Sequence, residues 1–293
     1  MSRSGFLVLD KEEGITSHDL IARARRVLGT RRIGHAGTLD PMATGVMVLG
    51  VESATRLLDY VTAGRKRYLA TVKLGEMTQT DDRMGELVSK HEVDLSAAKS
   101  RLRSMVGVID QIPSSVSAIK VGGKRAYDRV RSGEVVELKS RKVEIFAIEI
   151  IGERADSLDI DVTCSPGTYI RAIARDVGGH LTALRRIESQ PFTVDDCGEI
   201  SNEAIIPTGA VMRRVMATYQ ASEVEQRELA LGRSIAFLPS SFAASAGVRD
   251  DVIAVLSPSP LAGISNSNEV IALAKRNGDR LQPSVVLPEC SKI

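Results

Sequence analysis

Apolar and polar residues alternate in two stretches of the chain. Tyr68, Ala70, Val72 and Leu74 interleave with Leu69, Thr71 and Lys73, and Leu158, Ile160, Val162 and Cys164 interleave with Asp159, Asp161 and Thr163. Successive side chains of a strand point to opposite faces, so each stretch predicts a strand with one face buried. The apolar runs at residues 5–10 and 46–49 predict further strands, the second of them buried, and residues 142–151 add a longer one. Helical spacing appears between them. Leu20, Ala24, Val27 and Leu28 form one stripe, with Thr16 or Ser17 as cap, Asp19 near the N-terminus and Gly29 as the stop. Leu95, Ala98, Leu102 and Met105 form a second stripe behind an Asp94 cap, and residues 53–62 are helix-like.

Beyond residue 216 the pattern changes to Ala- and Ser-rich loops between short strands. Residues 250–256 predict one strand. Residues 269–276 and 281–287 flank Asn277-Gly278, a pair suited to the two-residue turn of a hairpin. The chain therefore divides into residues 1–216 and a small β-rich unit, 217–293, with no internal repeat.

Composition narrows the class. The chain has 293 residues, 43% hydrophobic and 26% charged, as in a globular protein able to bury a core. The net charge of +2 says little about nucleic acid. Its distribution says more: residues 1–75 carry twelve Lys/Arg against seven Asp/Glu, and residues 216–293 seven against eight. A basic N-terminal part is compatible with a phosphate-backbone partner and equally with a solvated surface. The three cysteines, Cys164, Cys197 and Cys290, lack C-x-x-C spacing, so neither a disulfide framework nor a zinc site is expected. The N-terminal apolar run is too short for a signal peptide, and no run approaches membrane-spanning length. The expectation is a soluble cytoplasmic protein with no membrane partner.

Chemistry concentrates in residues 31–50, RRIGHAGTLDPMATGVMVLG. Gly34 and Gly37 allow backbone angles that other residues resist, and Pro41 pushes Asp40 toward an extended conformation. Asp40 thus sits on a stiff mount before a buried strand, near His35, Arg31 and Arg32. An Asx-type turn would need no more than this. The string GHAGTLDPMATGV, however, resembles the central motif of the bacterial tRNA pseudouridine-55 synthases, the TruB family, in which the Asp of G-x-LDP is catalytic. Further segments resemble that family in the same order, over roughly residues 5–197. GFLVLDKEEGITSHD is similar to its DKPxGxTS element, with Lys11 in place and Glu12 where Pro is usual. RKRYLATVKLG is similar to K-x-Y-x-A-x-x-x-LG and places Tyr68 at the active-site tyrosine. TQTDDRMGELV is similar to T-x-T-x-D-x-x-G; its adjacent acids, Asp81 and Asp82, read as a solvated turn rather than a metal site. Residues 107–134 resemble a basic, mobile arm that closes over RNA, with Ser114 where a second Pro is common. CSPGTYIRAIARDVG carries the GTYIR element with Tyr169 and Arg171. GGHLTALRR places Leu184 at a position lining the uracil pocket, although relatives usually carry several more residues before this segment.

The resemblance implies an α+β fold: a mixed, largely antiparallel central sheet flanked by helices, followed by a small C-terminal β-rich PUA-like domain that binds RNA. It implies isomerisation of one uridine in the T-loop of tRNA, by breaking the N1–C1′ bond and rejoining the base through C5. A uridine stacked inside folded RNA must be flipped out for this, and His35 offers a flat face to fill the gap. Asp40 acts either as nucleophile toward the sugar or base, or as the base that removes the adjacent proton; the sequence leaves both open. Tyr68 and Tyr169 can pack on the uracil, Tyr68 can assist a late proton transfer from C5, and Arg171 is expected to hold Asp40 ionised. Lys11, Lys120, Lys124 and Arg125 are candidate RNA contacts, together with Arg129 and Arg131 of the arm. An internal rearrangement needs neither redox cofactor nor metal, and the chain lacks G-x-x-x-x-G-K-[ST], G-x-G-x-x-G and H-E-x-x-H. The partner implied is the tRNA T-stem-loop, with the protein a monomer lacking an obligate protein partner. A tRNA-binding or tRNA-folding protein without catalysis is the competing reading. The joint presence of Asp40, Tyr68 and Arg171 argues against it, because a pure binder has no chemical reason to keep them.

Overall fold

The N-terminal apolar run becomes β1 (Gly5–Lys11), buried at every residue but Asp10. Then come α1 (Ser17–Leu28), β2 (Ile33–His35) and β3 (Thr44–Val51), the last buried at seven of its eight residues. The computed structural model describes residues 3–114, 120–121, 124–125, 139–244, 249–257 and 269–288. Thr16 caps α1 through a capping box with Asp19, and Gly29 ends it in the left-handed conformation. The buried stripe is Leu20, Ile21, Ala24 and Leu28; Val27 points outward, 57% exposed, one position off the expected stripe.

After the short helix α2 (Leu58–Thr62) comes β4 (Lys66–Leu74), whose even positions from Lys66 to Leu74 are all buried. A small hairpin, β5 (Glu76–Thr78) with β6 (Leu87–Lys90), leads to α3 (Leu95–Ser104), capped by Asp94. β7 (Gly107–Gln111) opens the stretch expected to form an arm, yet it lies at the edge of the main sheet. Of the rest, residues 112–114 and the paired strands β8 (Lys120–Val121) and β9 (Lys124–Arg125) are described, the two strands as backbone. The side chains of Lys120, Lys124 and Arg125, and all of Arg129 and Arg131, lie outside the described residues.

β10 (Arg141–Arg154), β11 (Ser157–Cys164), α4 (Ile170–Asp176), β12 (Gly179–Ser189) and β13 (Phe192–Thr193) complete the first unit. The strands order as β1-β3-β12-β4-β11-β10-β7, with β2 beside β3 and β13 beside β12. All pairings are antiparallel except β3 with β12, so the sheet is mixed and largely antiparallel, as expected. The parallel pair meets where Gly45 faces Arg186: a Cβ on Gly45 would lie 2.1 Å from the Arg186 carbonyl oxygen. Only glycine permits that approach. The segment with the shortened connection, residues 178–186, runs straight into β12, and His180 is buried with its ring nitrogen 3.0 Å from the Glu76 carbonyl oxygen.

A second sheet starts at Met216, directly after α5 (Thr208–Val215). It contains β14 (Met216–Gln220), β15 (Ile235–Ala236), β16 (Phe242–Ala243), β17 (Arg249–Leu256), β18 (Val270–Asn277) and β19 (Arg280–Val286), with α6 (Glu223–Ala230) inserted after β14. The β18–β19 hairpin turns at Gly278, φ +62°. The two sheets are not separate hydrophobic bodies. Leu7 and Leu9 face a core with α1 and Tyr68, whereas Phe6 and Val8 face one shared with Val252, Leu256 and Leu273 of the second sheet.

Candidate active site

Asp40 is mounted by several backbone anchors. Gly37 turns the loop at φ +89°, where an L-residue would be strained; Gly34 keeps an ordinary φ and instead leaves room for Leu58. The Ser17 hydroxyl donates to the Leu39 carbonyl (2.9 Å) and accepts from the Leu39 N–H (3.0 Å). The Ala43 N–H donates to the Asp40 carbonyl (3.0 Å), and the Gly14 N–H donates to the Pro41 carbonyl (2.9 Å). Lys11 completes the mount. Its Nζ donates to the carbonyls of Glu12 (3.0 Å), Ile15 (2.8 Å) and Pro41 (3.3 Å). Lys11 is 0% exposed, so the expectation of an RNA contact is corrected: its amine fastens the Asp40 loop and is not presented to a ligand.

Arg171 enters from the first turn of α4. The chain before it is clamped by Gln111, whose side chain accepts from the Tyr169 N–H (2.8 Å) and donates to the Tyr169 carbonyl (3.1 Å). The Arg171 guanidinium meets Asp40 with both arms, Nε to Oδ2 at 2.9 Å and Nη2 to Oδ1 at 3.0 Å. Its Nη1 donates to the Thr80 carbonyl (2.8 Å) and to the Ser114 hydroxyl (3.3 Å), and stands 3.6 Å from Asp82 Oδ2. Asp82 is 4% exposed and fixed by the Thr80 hydroxyl (2.6 Å) and the Met84 N–H (2.9 Å). Asp81 is buried as well and pairs with Arg175 at 3.4 Å. The expectation of a solvated turn at Asp81 and Asp82 is therefore corrected: two arginines of α4 draw both carboxylates inward.

The Asp40 side chain retains 32% exposure, toward a cavity of about 250 Å³. Tyr68, Tyr169, Arg171 and Leu184 line the same cavity, with Lys66, Arg141 and Arg186 around them. Burial holds the Asp40 carboxyl above its ordinary pKa, with Arg171 pulling it down and Asp82 pushing it up. Arg171 thus opposes the neutralisation of Asp40 without reversing it. Burial also raises the Tyr68 hydroxyl, with the Arg186 guanidinium opposing from hydrogen-bonding reach. Arg186, 1% exposed, donates from Nε to the Val46 carbonyl (2.7 Å) and from Nη2 to the Gly37 carbonyl (3.2 Å), tying the Asp40 loop to β12. Arg141 lies over the Tyr169 ring at 4.6 Å.

The chain itself has counterparts among known proteins. Residues 25–170 match the family described as "TruB family pseudouridylate synthase (N terminal domain)". The tRNA pseudouridine synthase B of Arthrobacter sp. (strain FB24) is 45% identical over 97% of this chain and 96% of its own length. That of Thermobifida fusca (strain YX) is 42% identical over 96% and 98%. The chain belongs to the TruB family. Its members are pseudouridine synthases, isomerases of RNA uridine. A solved Cbf5-Nop10-Gar1 complex supports the fold, with TM-score 0.68 at 22% identity over 96% of this chain and 84% of that one. An H/ACA RNP bound to a substrate RNA containing 2'-deoxyuridine gives TM-score 0.67 at 21% identity, over the same shares.

Of the residues singled out in this TruB-family sequence, Asp40, Tyr68, Tyr169, Arg171 and Leu184 converge on one cavity. His35 stands apart, half-buried on β2, its ring edge-on to His18 at 6.2 Å between centroids. Sequence reasoning missed Lys66, Arg186 and Arg141 as lining residues. Signals existed for two of them: Lys66 is two positions before Tyr68 and Arg186 two after Leu184, each on the same strand face as its neighbour.

Proposed function

We propose that this protein converts the uridine at position 55, in the T-loop of tRNA, to pseudouridine, with Asp40 as the catalytic carboxylate. The observation that carries the reading is the Asp40–Arg171 pair opening into a cavity walled by Tyr68, Tyr169 and Leu184. A carboxylate this enclosed would gain a proton and lose its reactivity; the two-armed guanidinium limits that and fixes the carboxylate plane. Aromatic and aliphatic walls suit the faces of a flipped uracil. His35 lies outside the cavity lining, as a side chain filling the vacated base stack would have to. The substrate class comes from the curated relatives, named for tRNA, whose whole length this chain matches. The second sheet and the basic stretch 107–134 are assigned to RNA binding, with the chain acting as a monomer in the cytoplasm. No helix among the described residues is long and apolar enough to cross a membrane.

Asp40 serves the reaction either by attacking the sugar or base, or by removing the adjacent proton. The product is an isomer, so no redox equivalent or cofactor enters the balance. The test is to incubate the pure protein with unmodified tRNA and map pseudouridine. Product at position 55, lost in Asp40→Asn, supports the reading; an unmodified tRNA, or activity retained in that variant, overturns it.

A further inference from the structure

The three arginines lining the cavity are engaged. Arg171 holds Asp40, Arg186 binds two backbone carbonyls, and Arg141 covers Tyr169. Lys66 differs. It is 4% exposed, and among the described residues it pairs with no carboxylate. Its Nζ donates to the carbonyls of Thr62 (3.2 Å) and Gly64 (2.9 Å). Those bonds use two N–H groups, leaving one direction for a third N–H when the amine is charged, or a lone pair when it is neutral. β4 places Lys66 two residues before Tyr68, so both side chains share a face, and both line the cavity with Asp40.

Burial and the neighbouring Arg186 guanidinium push Lys66 down to about 7, against weak upward pulls from Cys164 and Glu188. Asp40, Arg171, Arg141, Tyr68 and Tyr169 are the other ionisable groups around the cavity. An amine that exchanges its proton near neutrality is matched to acid–base work.

The last proton transfer of uridine isomerisation, from C5, is the one the family resemblance offers to Tyr68, whose hydroxyl burial holds protonated. Once C5 has bonded to C1′, it still carries its hydrogen; the C5–H electron pair must return to the ring to restore the C5–C6 double bond as that proton leaves. N1, which departed with the glycosidic electron pair, must gain a proton. We propose that Lys66 is a further catalytic residue, whose neutral amine on the wall shared with Tyr68 accepts the C5 proton. The resulting ammonium, or water, supplies N1, so one proton moves from C5 to N1 and no electrons are gained or lost. This rests on the uridine-isomerising reading above.

The test is single-turnover pseudouridine formation at saturating tRNA, for wild type, Lys66→Met and Lys66→Arg, with the target uridine carrying hydrogen or deuterium at C5. Both variants should bind tRNA like wild type and react roughly 100-fold slower or worse, the scale of a lost general base. Both should also show a primary isotope effect larger than that of wild type, because C5 deprotonation has become the slow step. Arginine keeps the charge but cannot release a proton at neutral pH, so rescue by Lys66→Arg overturns the proposal. A slow variant without an enlarged isotope effect, or with lost tRNA binding, reports damage to the site and overturns it equally. If wild type forms pseudouridine and the variants keep its rate, Lys66 alone is refuted. If wild type forms none, the isomerase reading fails and the Lys66 proposal falls with it.

Discussion

Two buried lysines, Lys11 beneath the Asp40 loop and Lys66 on the cavity wall, share the same ligand chemistry and have opposite electrical neighbours. Each amine is held by backbone carbonyls, three around Lys11 and two around Lys66. Burial lowers the pKa of both. For Lys11 the Asp40 carboxylate is the strongest opposing influence and favours the charge; for Lys66 the Arg186 guanidinium adds to the burial, and the amine reaches about 7. Equal ligands with unequal neighbours give unequal tasks. A cation whose charge a carboxylate supports can act as a permanent fastener, whereas one facing another cation keeps a labile proton. Asp40 is the group that separates the two cases, so variants around it probe the contrast most directly.

The largest effect is expected from Asp40→Asn. The amide is isosteric but cannot ionise, so pseudouridine formation should fall to background in a single-turnover assay. Phosphate contacts elsewhere supply most of the affinity for tRNA, which should stay near wild type by filter binding. Turnover close to wild type would take Asp40 out of the mechanism and leave Lys11 without a functional anion to support.

Arg171→Ala comes next. With Asp40 as the proposed catalytic carboxylate, the acid limb of the rate should follow its ionisation. Burial and Asp82 raise the Asp40 pKa while Arg171 lowers it, so removing Arg171 raises it further. The variant should be slow at pH 7 and regain part of its rate as pH rises and Asp40 ionises. Arg171→Lys keeps a charge without the two-armed geometry and should fall between the two. Single-turnover rates for all three proteins across pH 5.5 to 9 (roughly the window a raised carboxylate titration would sweep) decide it. An Arg171→Ala rate equal to wild type at pH 7 would mean that the observed pair does not control the carboxylate.

How much of this was legible in the sequence depends on the range of the interaction. The β4 alternation reads directly because strand faces are set by neighbours two residues apart, and it holds at every even position from Lys66 to Leu74. The capping box at Thr16 and the β18–β19 hairpin are local in the same sense, although the two-residue turn is Gly278-Asp279, one position past the expected Asn277-Gly278, because Asn277 pairs with Arg280. The Asp40 mount was legible from Gly37 and Pro41, and its partner Arg171 from motif order. Lys11 was misread because a lysine beside two glutamates looks solvated; only the fold shows that its own loop and Pro41, thirty residues on, close around it. Asp82 failed for the same reason, since its burial depends on α4 docking about ninety residues downstream.

Asp82→Asn should have a smaller effect with a distinctive sign. Arg171 keeps the Thr80 carbonyl and Ser114 hydroxyl, so its placement survives in part and the plateau rate should drop less than in Arg171→Ala. Asp82 raises the Asp40 pKa; removing its charge lowers it, and the acid limb should move to lower pH, opposite to the shift in Arg171→Ala. A shift in the same direction as Arg171→Ala would show that Asp82 acts by anchoring Arg171 and not through its charge.

The smallest effect on chemistry, and the one that tests the fastening role itself, is expected from Lys11→Met. Methionine fills similar volume but donates no hydrogen bond, leaving the carbonyls of Glu12, Ile15 and Pro41 without the amine. The Pro41 carbonyl still accepts from the Gly14 N–H, so the loop is loosened rather than released. Leaving buried acceptors unsatisfied costs roughly 1–3 kcal/mol, which should lower the urea midpoint without changing its slope. Once tRNA is bound and the loop is held by its substrate, the single-turnover rate should stay within a few-fold of wild type. Lys66→Met should behave in reverse, with a modest change in midpoint and a severe loss of rate. Should Lys11→Met lose rate as steeply as Lys66→Met while keeping its stability, the two lysines would share one task, and the neighbouring charge would not be what divides them.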